Sequence, residues 1–208
     1  MEYELAFFNF DYKTIVNKLK KLGGKKLHKF ALYNVAYFYL AGEQDFSKGF
    51  IRIRDENGNV KLTTKLLDKS KYAEEYEIGI DGTYDNIKKI LEKGNLECKI
   101  ESVKYRDKWS LVDTHEIVFD IWPGLPISLE IDCDSEKKLN NTCKKLDLNI
   151  KDGFTGSQYN KLYEITNDQM KKLPNINFNN FRKILKPHIT KNNKIFNTLT
   201  KQYYGQFI

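Results

Sequence analysis

Cysteine, histidine and, toward the C-terminus, acidic residues are scarce in this 208-residue chain. Its three cysteines, Cys98, Cys133 and Cys143, show no C-x-x-C spacing and cannot all pair, so no disulfide framework is expected. Cys98 and Cys133 fall on strand patterns and read as core residues. His28, His115 and His188 stand far apart, show no ligand spacing and read as ordinary polar or half-buried side chains. No glycine-rich G-x-x-x-x-G-K-[ST] loop occurs, so any nucleotide must be held by side chains. The longest apolar run, "FALYNVAYFYLAG" from Phe30 to Gly42, contains Asn34 and is too short to cross a membrane. It reads as a buried strand, although its aromatic rings could also touch an organic part of a substrate. No signal peptide is read at the N-terminus. A soluble, cytoplasmic protein with no membrane partner is therefore expected. No internal repeat is visible.

Acidic residues are missing altogether from 171–208, where eight Lys or Arg occur. The formal net charge of +7 is thus misleading until it is located, because the other 170 residues hold 27 basic and 28 acidic groups. The body is electrically neutral and the extension is basic. Two readings of the extension stay open: a solvated helical segment packed over the body, or a contact for nucleic acid or another anionic surface. Its aromatic residues, among them Phe178, Phe181, Phe196, Tyr203, Tyr204 and Phe207, argue against full disorder. We therefore expect one domain over 1–170 and a basic, helical extension over 171–208.

What the chain does have is alternation. Hydrophobic periodicity predicts strands over 2–8, 28–42, 49–55, 59–67, 73–80, 97–108, 111–122 and 126–133. Helices are predicted over 11–23, 83–93 and 135–146, and a short helix near 157–166. Asp11 and Thr83 are placed as N-caps and Gly23 and Gly94 as stops, with Ile87, Ile90 and Leu91 on one face of the second helix. Asn57-Gly58 is a strong hairpin signal, and Gly23-Gly24, Asp81-Gly82 and Pro123-Gly124 mark other turns. In "GFIRIRDENGNVKLTTK", Phe50, Arg52 and Arg54 share one face while Ile51 and Ile53 share the other. Lys61, Thr63 and Lys65 likewise oppose Leu62, Thr64 and Leu66. The same separation recurs with Glu2 and Glu4, with Glu75 and Glu77, with Lys104, Arg106 and Lys108, with Glu116 and Asp120, and with Ser128, Glu130 and Asp132.

An ordinary sheet with one wet face would explain any single strand. The three helices, however, each need an apolar surface, and the aliphatic strand faces supply it. Helices outside and a closing sheet of about eight strands would turn the charged faces inward around a small ligand. Such a lining is costly unless each charge finds a partner. An anion together with a metal ion satisfies both signs, so the arginine face is expected to hold a polyphosphate.

These residues, taken together, resemble the CYTH superfamily of triphosphate tunnel metalloenzymes, which includes class IV adenylyl cyclases, thiamine triphosphatases and inorganic triphosphatases. The resemblance runs in order over 2–165 through "EYEL", "ALYNVAYFYL", "FIRIRDENGNVKLTTK", "EEYEIGI", "KYRDKW", "FDIWPGLPISLEID" and "SQYNKLYE". It implies an α+β fold with a closed or nearly closed eight-stranded antiparallel β-barrel and helices packed outside. It implies Mg²⁺ or Mn²⁺ on the carboxylates of Glu2, Glu4, Asp120, Glu130 and Asp132. Arg52, Arg54, Lys65 and Arg106, with Lys104, would hold the triphosphate. Glu75 and Glu77 would orient those cations, ligate a second metal or position a water; with Arg106 they form the implied catalytic set. One position departs: the family signature E-x-E-x-K has a lysine where this chain has Ala6. Lys13, on the first predicted helix, cannot replace it by register.

Three functions follow from the resemblance: a metal-dependent triphosphatase, a class IV adenylyl cyclase releasing pyrophosphate, and a non-catalytic polyphosphate or nucleotide binder. An RNA 5′-triphosphate end, gripped by 171–208, is a variant of the first. The protein would act as a monomer or homodimer.

Overall fold

The computed structural model describes residues 3–66, 74–170 and 172–207, with backbone alone for Glu75 and Asn167. The metal acid expected at Glu2 lies outside the described residues, as do the strand ends expected at 67 and 73. Two compact units are present. Unit 1 comprises Met1–Ala31, Tyr105–Lys172 and Phe178–Ile208, and unit 2 comprises Leu32–Lys104 and Leu173–Asn177.

Eight strands form one sheet: β1 (Tyr3–Phe7), β2 (Lys25–Phe38), β3 (Gly49–Glu56), β4 (Asn59–Leu66), β5 (Glu74–Ile80), β6 (Cys98–Ser110), β7 (Glu116–Ile121) and β8 (Ser128–Cys133). Their order is β1-β8-β7-β6-β2-β3-β4-β5, the pairings resolved in register are antiparallel, and the fold class is α+β. β1 and β5 stand at the two ends of that order, so the ladder itself is not closed by hydrogen bonds among the described residues.

In unit 2, the β3–β4 hairpin turns at Asn57 (φ 56°) and Gly58 (φ 89°), two left-handed residues in succession as a primed two-residue turn requires. Asp55 accepts a hydrogen bond from Gly58 N (2.7 Å) and reinforces it. The aliphatic side of the hairpin is buried as the alternation predicts. Ile53 and Val60 join Ala36 and Phe38 in a core against which Ile51, Leu62, Tyr84, Ile87 and Leu91 pack. The last three come from α2 (Tyr84–Lys93), capped by Thr83 and ended at Gly94. Ile90 departs from expectation: it is 65 % exposed. At 100° per residue, Ile87 and Leu91 form the inward stripe and Ile90 falls on its flank.

In unit 1, α1 (Tyr12–Lys21) is capped by Asp11, which accepts from Thr14 N, and buries Ile15 and Leu19. α3 (Glu136–Lys145), capped by Ser135, buries Leu139, Thr142 and Cys143 and packs on β8 and β1. β7 is shorter than the predicted 111–122, because Leu111–His115 forms a turn in which Asp113 takes φ 71° and Thr114 bonds back to Leu111 O. β2 ends at Phe38, short of the predicted 42.

Beyond β8 come α4 (Gln158–Tyr163), α5 (Asn167–Met170), α6 (Phe181–Leu185), α7 (Asn193–Thr198) and α8 (Lys201–Gly205). Phe181, Leu185, Ile189, Phe196, Leu199 and Tyr204 of the basic extension are buried in unit 1. Within unit 2, Ile176 bridges Ser102, and Asn175 bonds both the backbone and the carboxylate of Glu101.

Candidate functional site

The charged strand faces form a distinct cluster in each unit. In unit 2, β3, β4 and β5 lie side by side, and the register sets Arg52 opposite Thr63, Arg54 opposite Lys61, Phe50 opposite Lys65, and Thr63 opposite Glu77. Glu77 is the hub. Its Oε2 lies 3.3 Å from both Arg52 Nη2 and Arg54 Nη2, and its Oε1 lies 3.0 Å from Lys61 Nζ. Thr63 donates its hydroxyl to Glu77 Oε2 (2.9 Å). Glu56 steadies the outer end through Arg54 Nε (2.6 Å) and Lys61 Nζ (3.6 Å).

Two carboxylates, Glu77 and Glu56, thus serve Arg52, Arg54 and Lys61, so cations outnumber anions by one among these five side chains. Burial works against ionisation of Glu77, but the bonds from Lys61 and Thr63 and the charge of Arg54 outweigh it. Its carboxyl is held below the ordinary value. Glu77 is therefore a fixed anion, and it cannot serve as a proton donor near neutral pH. Lys65 lies on the same face, paired on the ladder with Phe50 and with the backbone of Glu75. Lys104 is half-buried at the end of unit 2.

The same face carries aromatic rings at one end. Tyr37 pairs with Arg52 across β2–β3 and its ring meets Phe50 edge-on at 5.3 Å; Phe46 joins Phe50 at 6.3 Å and Tyr39 at 4.7 Å. Tyr37, Tyr39, Phe46 and Phe50 are all half-buried.

In unit 1 the balance is reversed. Arg106 on β6 faces Asp120 on β7, and Nε and Nη2 donate to the two carboxylate oxygens at 2.7 Å each. Nη1 donates to Glu116 Oε1 (2.8 Å), Glu130 Oε1 lies 3.7 Å from Nη2, and Lys108 Nζ lies 2.5 Å from Glu116 Oε2. Burial disfavours the charged guanidinium, yet Asp120, then Glu116 and Glu130, raise its pKa well above the usual arginine value.

The register also places Glu4 opposite Asp132 across β1–β8, and Asp132 opposite Glu116 across β7–β8. Three carboxylates therefore occupy one row of adjacent strands, an arrangement of like charges that is unfavourable without a cation. Glu4, Glu116, Asp120, Glu130 and Asp132 share this part of the sheet, and Arg106 and Lys108 form ion pairs with Glu116, Asp120 and Glu130. All the donors are hard carboxylate oxygens, the ligand set that Mg²⁺ and Mn²⁺ prefer. On donor chemistry the residues fit such an ion, although no group of three or more His, Cys, Asp or Glu converges to hold a metal among the described residues.

Ala6 pairs with Glu130 on the ladder and is 3 % exposed. Its N–H and C=O are both bonded to Phe154, at 2.9 and 3.0 Å.

The structure thus brings Arg52, Arg54, Lys65 and Glu77 to one face of unit 2, and Glu4, Asp120, Glu130, Asp132 and Arg106 to one face of unit 1. Sequence reasoning left out Lys61, Thr63, Glu56, Glu116 and Lys108 as site residues. Strand alternation put Lys61, Thr63, Glu116 and Lys108 on the right faces, but only the register shows which of them touch.

No helix among the described residues is long and apolar enough to cross a membrane. The chain matches the CYTH domain family over residues 1–163. Among solved structures it is similar to a candidate adenylate cyclase from Vibrio parahaemolyticus, with a TM-score of 0.57 and 16 % identity over 76 % of this chain and 94 % of that one. It is also similar to a conserved hypothetical protein from Pyrococcus furiosus (TM-score 0.56, 16 % identity, 76 % of this chain and 98 % of that one). A third is a candidate adenylyl cyclase from Hippeastrum, described as revealing a dominant triphosphatase activity (TM-score 0.51, 19 % identity, 76 % of this chain and 92 % of that one). At such identities the likeness establishes the fold. No curated protein matches the chain.

Proposed function

The chain belongs to the CYTH domain family, and from that premise we propose that it is a metal-dependent hydrolase of a triphosphate-bearing substrate. The observation that carries this reading is the convergence of Arg52, Arg54 and Lys61 on the single carboxylate of Glu77. Guanidinium forks and an ammonium held with surplus positive charge suit phosphate oxygens, and phosphoryl transfer is catalysed largely by positioning and charge neutralisation. Lys65 and Lys104 would extend the phosphate grip. Glu77, locked as an anion, would keep the cations aligned, and Glu75 would act beside Lys65.

Glu4, Glu130 and Asp132 would hold the divalent ion, Mg²⁺ or Mn²⁺, which when bound would neutralise charge on the phosphate oxygens. Asp120 is committed to Arg106 in the structure, so its role in this reading is to anchor that guanidinium. Residues 1–170 would form the catalytic domain and 171–208 its extension.

Product analysis on tripolyphosphate, ATP and thiamine triphosphate, with Mg²⁺ or Mn²⁺, tests the proposal. Orthophosphate release that disappears in Glu130→Gln upholds it. Absence of turnover together with no thermal shift on tripolyphosphate addition overturns it. A thermal shift without turnover would make the protein a binder.

A second reading, an adenylyl cyclase, is favoured by the half-buried rings of Tyr37 and Phe50 beside Arg52, which offer a surface to the organic part of a nucleotide. Cyclic AMP with pyrophosphate in the same assay would select it. An RNA 5′-triphosphate substrate would show salt-dependent binding that is lost when lysines of 171–208 are neutralised.

A further inference from the structure

β7 and β8 carry Asp120 and Glu130, and the six residues that join them, Trp122 to Ile127, read Trp-Pro-Gly-Leu-Pro-Ile. A connection of this length leaves hairpin register weakly specified by itself, and a slip of one residue turns every side chain to the opposite face. Four of the six residues are buried, so their backbone groups cannot rely on water. The chain supplies partners from elsewhere in unit 1, and nearly all of them are tyrosines.

Gly124 N donates to Tyr204 Oη (2.9 Å), and Ile127 N donates to Tyr203 Oη (3.0 Å). Tyr159 Oη donates to Pro123 O (2.8 Å), and Tyr163 Oη donates to Gly124 O (2.7 Å). Tyr204 Oη in turn lies 3.2 Å from Leu125 O and 3.5 Å from Trp122 O. One bond, Leu125 N to Trp122 O (3.1 Å), is local. Burial raises the pKa of all four phenols, so each keeps its proton.

Packing repeats the pattern. Gly124 has φ 80°, and a Cβ there would lie 2.5 Å from Leu185 Cδ1, 3.1 Å from Phe181 Cδ2 and 3.5 Å from Phe196 Cε2. All three neighbours, like Tyr203 and Tyr204, belong to the basic extension beyond the residues matched to the family.

We propose that the C-terminal segment is a strap that sets the register of the β7–β8 hairpin, and that Tyr204 is a positioning residue for the carboxylates of β7 and β8. Lys183, Lys186, Lys191, Lys194 and Lys201 of the segment are exposed, while its aromatic side holds the connection. This inference rests on the reading that Glu130 and Asp132 hold a divalent ion.

The test uses the full chain with Tyr204→Phe, and with Tyr203→Phe as a milder variant that loses only the acceptor for Ile127 N. Tyr76→Phe, at a 60 % exposed tyrosine of unit 2, is the control. Mn²⁺ binding is read by electron paramagnetic resonance without substrate, beside hydrogen exchange of the β8 amides and the KM and kcat for tripolyphosphate. Tyr204→Phe is expected to weaken Mn²⁺ binding about five- to tenfold and to speed exchange at Ser128–Glu130, with kcat falling and KM for tripolyphosphate unchanged. Unchanged Mn²⁺ affinity and unchanged exchange in both variants, whatever happens to melting temperature, overturns the strap. A wild type that binds no Mn²⁺ sinks the metal reading alone. The strap is then decided by exchange, faster in Tyr204→Phe if it holds and unaltered if it does not.

Discussion

Arg106 and Asp120 stand opposite each other on β6 and β7, joined by two parallel hydrogen bonds of 2.7 Å, with Asp120 fully buried. The fork geometry explains why the pair survives burial: both carboxylate oxygens are satisfied, and the third guanidinium nitrogen finds Glu116.

Neutralising Asp120 removes the bidentate partner of Arg106, while Glu116 and Glu130 remain as counter-ions. Asp120→Asn is expected to cost about 1–3 kcal/mol of stability, the range for a buried group that loses its hydrogen-bond partner. Urea unfolding checks this; a loss under about 1 kcal/mol, the size of an exposed pair, would refute the pair's structural weight.

Glu77 gives a pH signature. Its carboxyl is held below the ordinary value of 4.5, so its contribution is complete above that value and is lost as pH falls through its depressed folded-state pKa. The urea midpoint of the wild type should therefore exceed that of Glu77→Gln by a constant margin from pH 7 to about pH 5, and the margin should shrink below that. A margin that widens on acidification would contradict the assignment. Tripolyphosphate binding without metal should tighten in Glu77→Gln, because three cations lose the carboxylate they share.

Gly124 combines a left-handed backbone with a crowded environment. Gly124→Ala should destabilise by roughly 2–4 kcal/mol, about 1–2 from the backbone and the rest from displacing Leu185 and Phe181. Gly58→Ala, with φ 89° but nothing near its missing Cβ, should cost only the backbone part. Equal losses at the two glycines, measured in urea, would mean that the C-terminal segment does not press on Gly124.

Ala6 lies opposite Glu130 on the ladder, at the position where the sequence resemblance implies a lysine. If the proposed hydrolysis holds, Ala6→Lys should raise kcat on tripolyphosphate several-fold while lowering the melting temperature, because a long side chain must enter a position that is 3 % exposed. Steady-state kinetics at saturating Mn²⁺ reads the first effect. A variant that folds with unchanged kcat would show that the missing cation is supplied elsewhere.

Much of the fold could be read directly from residue order. The Asn57-Gly58 turn fixed the β3–β4 register, and the alternation of Arg52 and Arg54 with Ile51 and Ile53 placed the charged face correctly, because a strand offers only two faces. Capping by Asp11 and Thr83 was equally local. Ile90 shows where this ends: a helix face is continuous, and which apolar side chains meet the sheet depends on how the helix is laid down.

Side-chain alternation, turn chemistry and charge order are local properties, and by themselves they determined eight strands, the three main helices and the sign of charge on each strand face. Which cation meets which carboxylate was decided by tertiary structure. Arg106 is bound to Asp120 and Glu116 because β6 and β7 pair in one register, and Glu4, Asp132 and Glu116 form a row because β1, β8 and β7 are neighbours. The segment 171–208 carried no periodic signal that tied it to the β7–β8 connection. Its tyrosines bond backbone groups about 80 residues away, and such partners have no trace in local sequence, because backbone donors and acceptors are the same at every position.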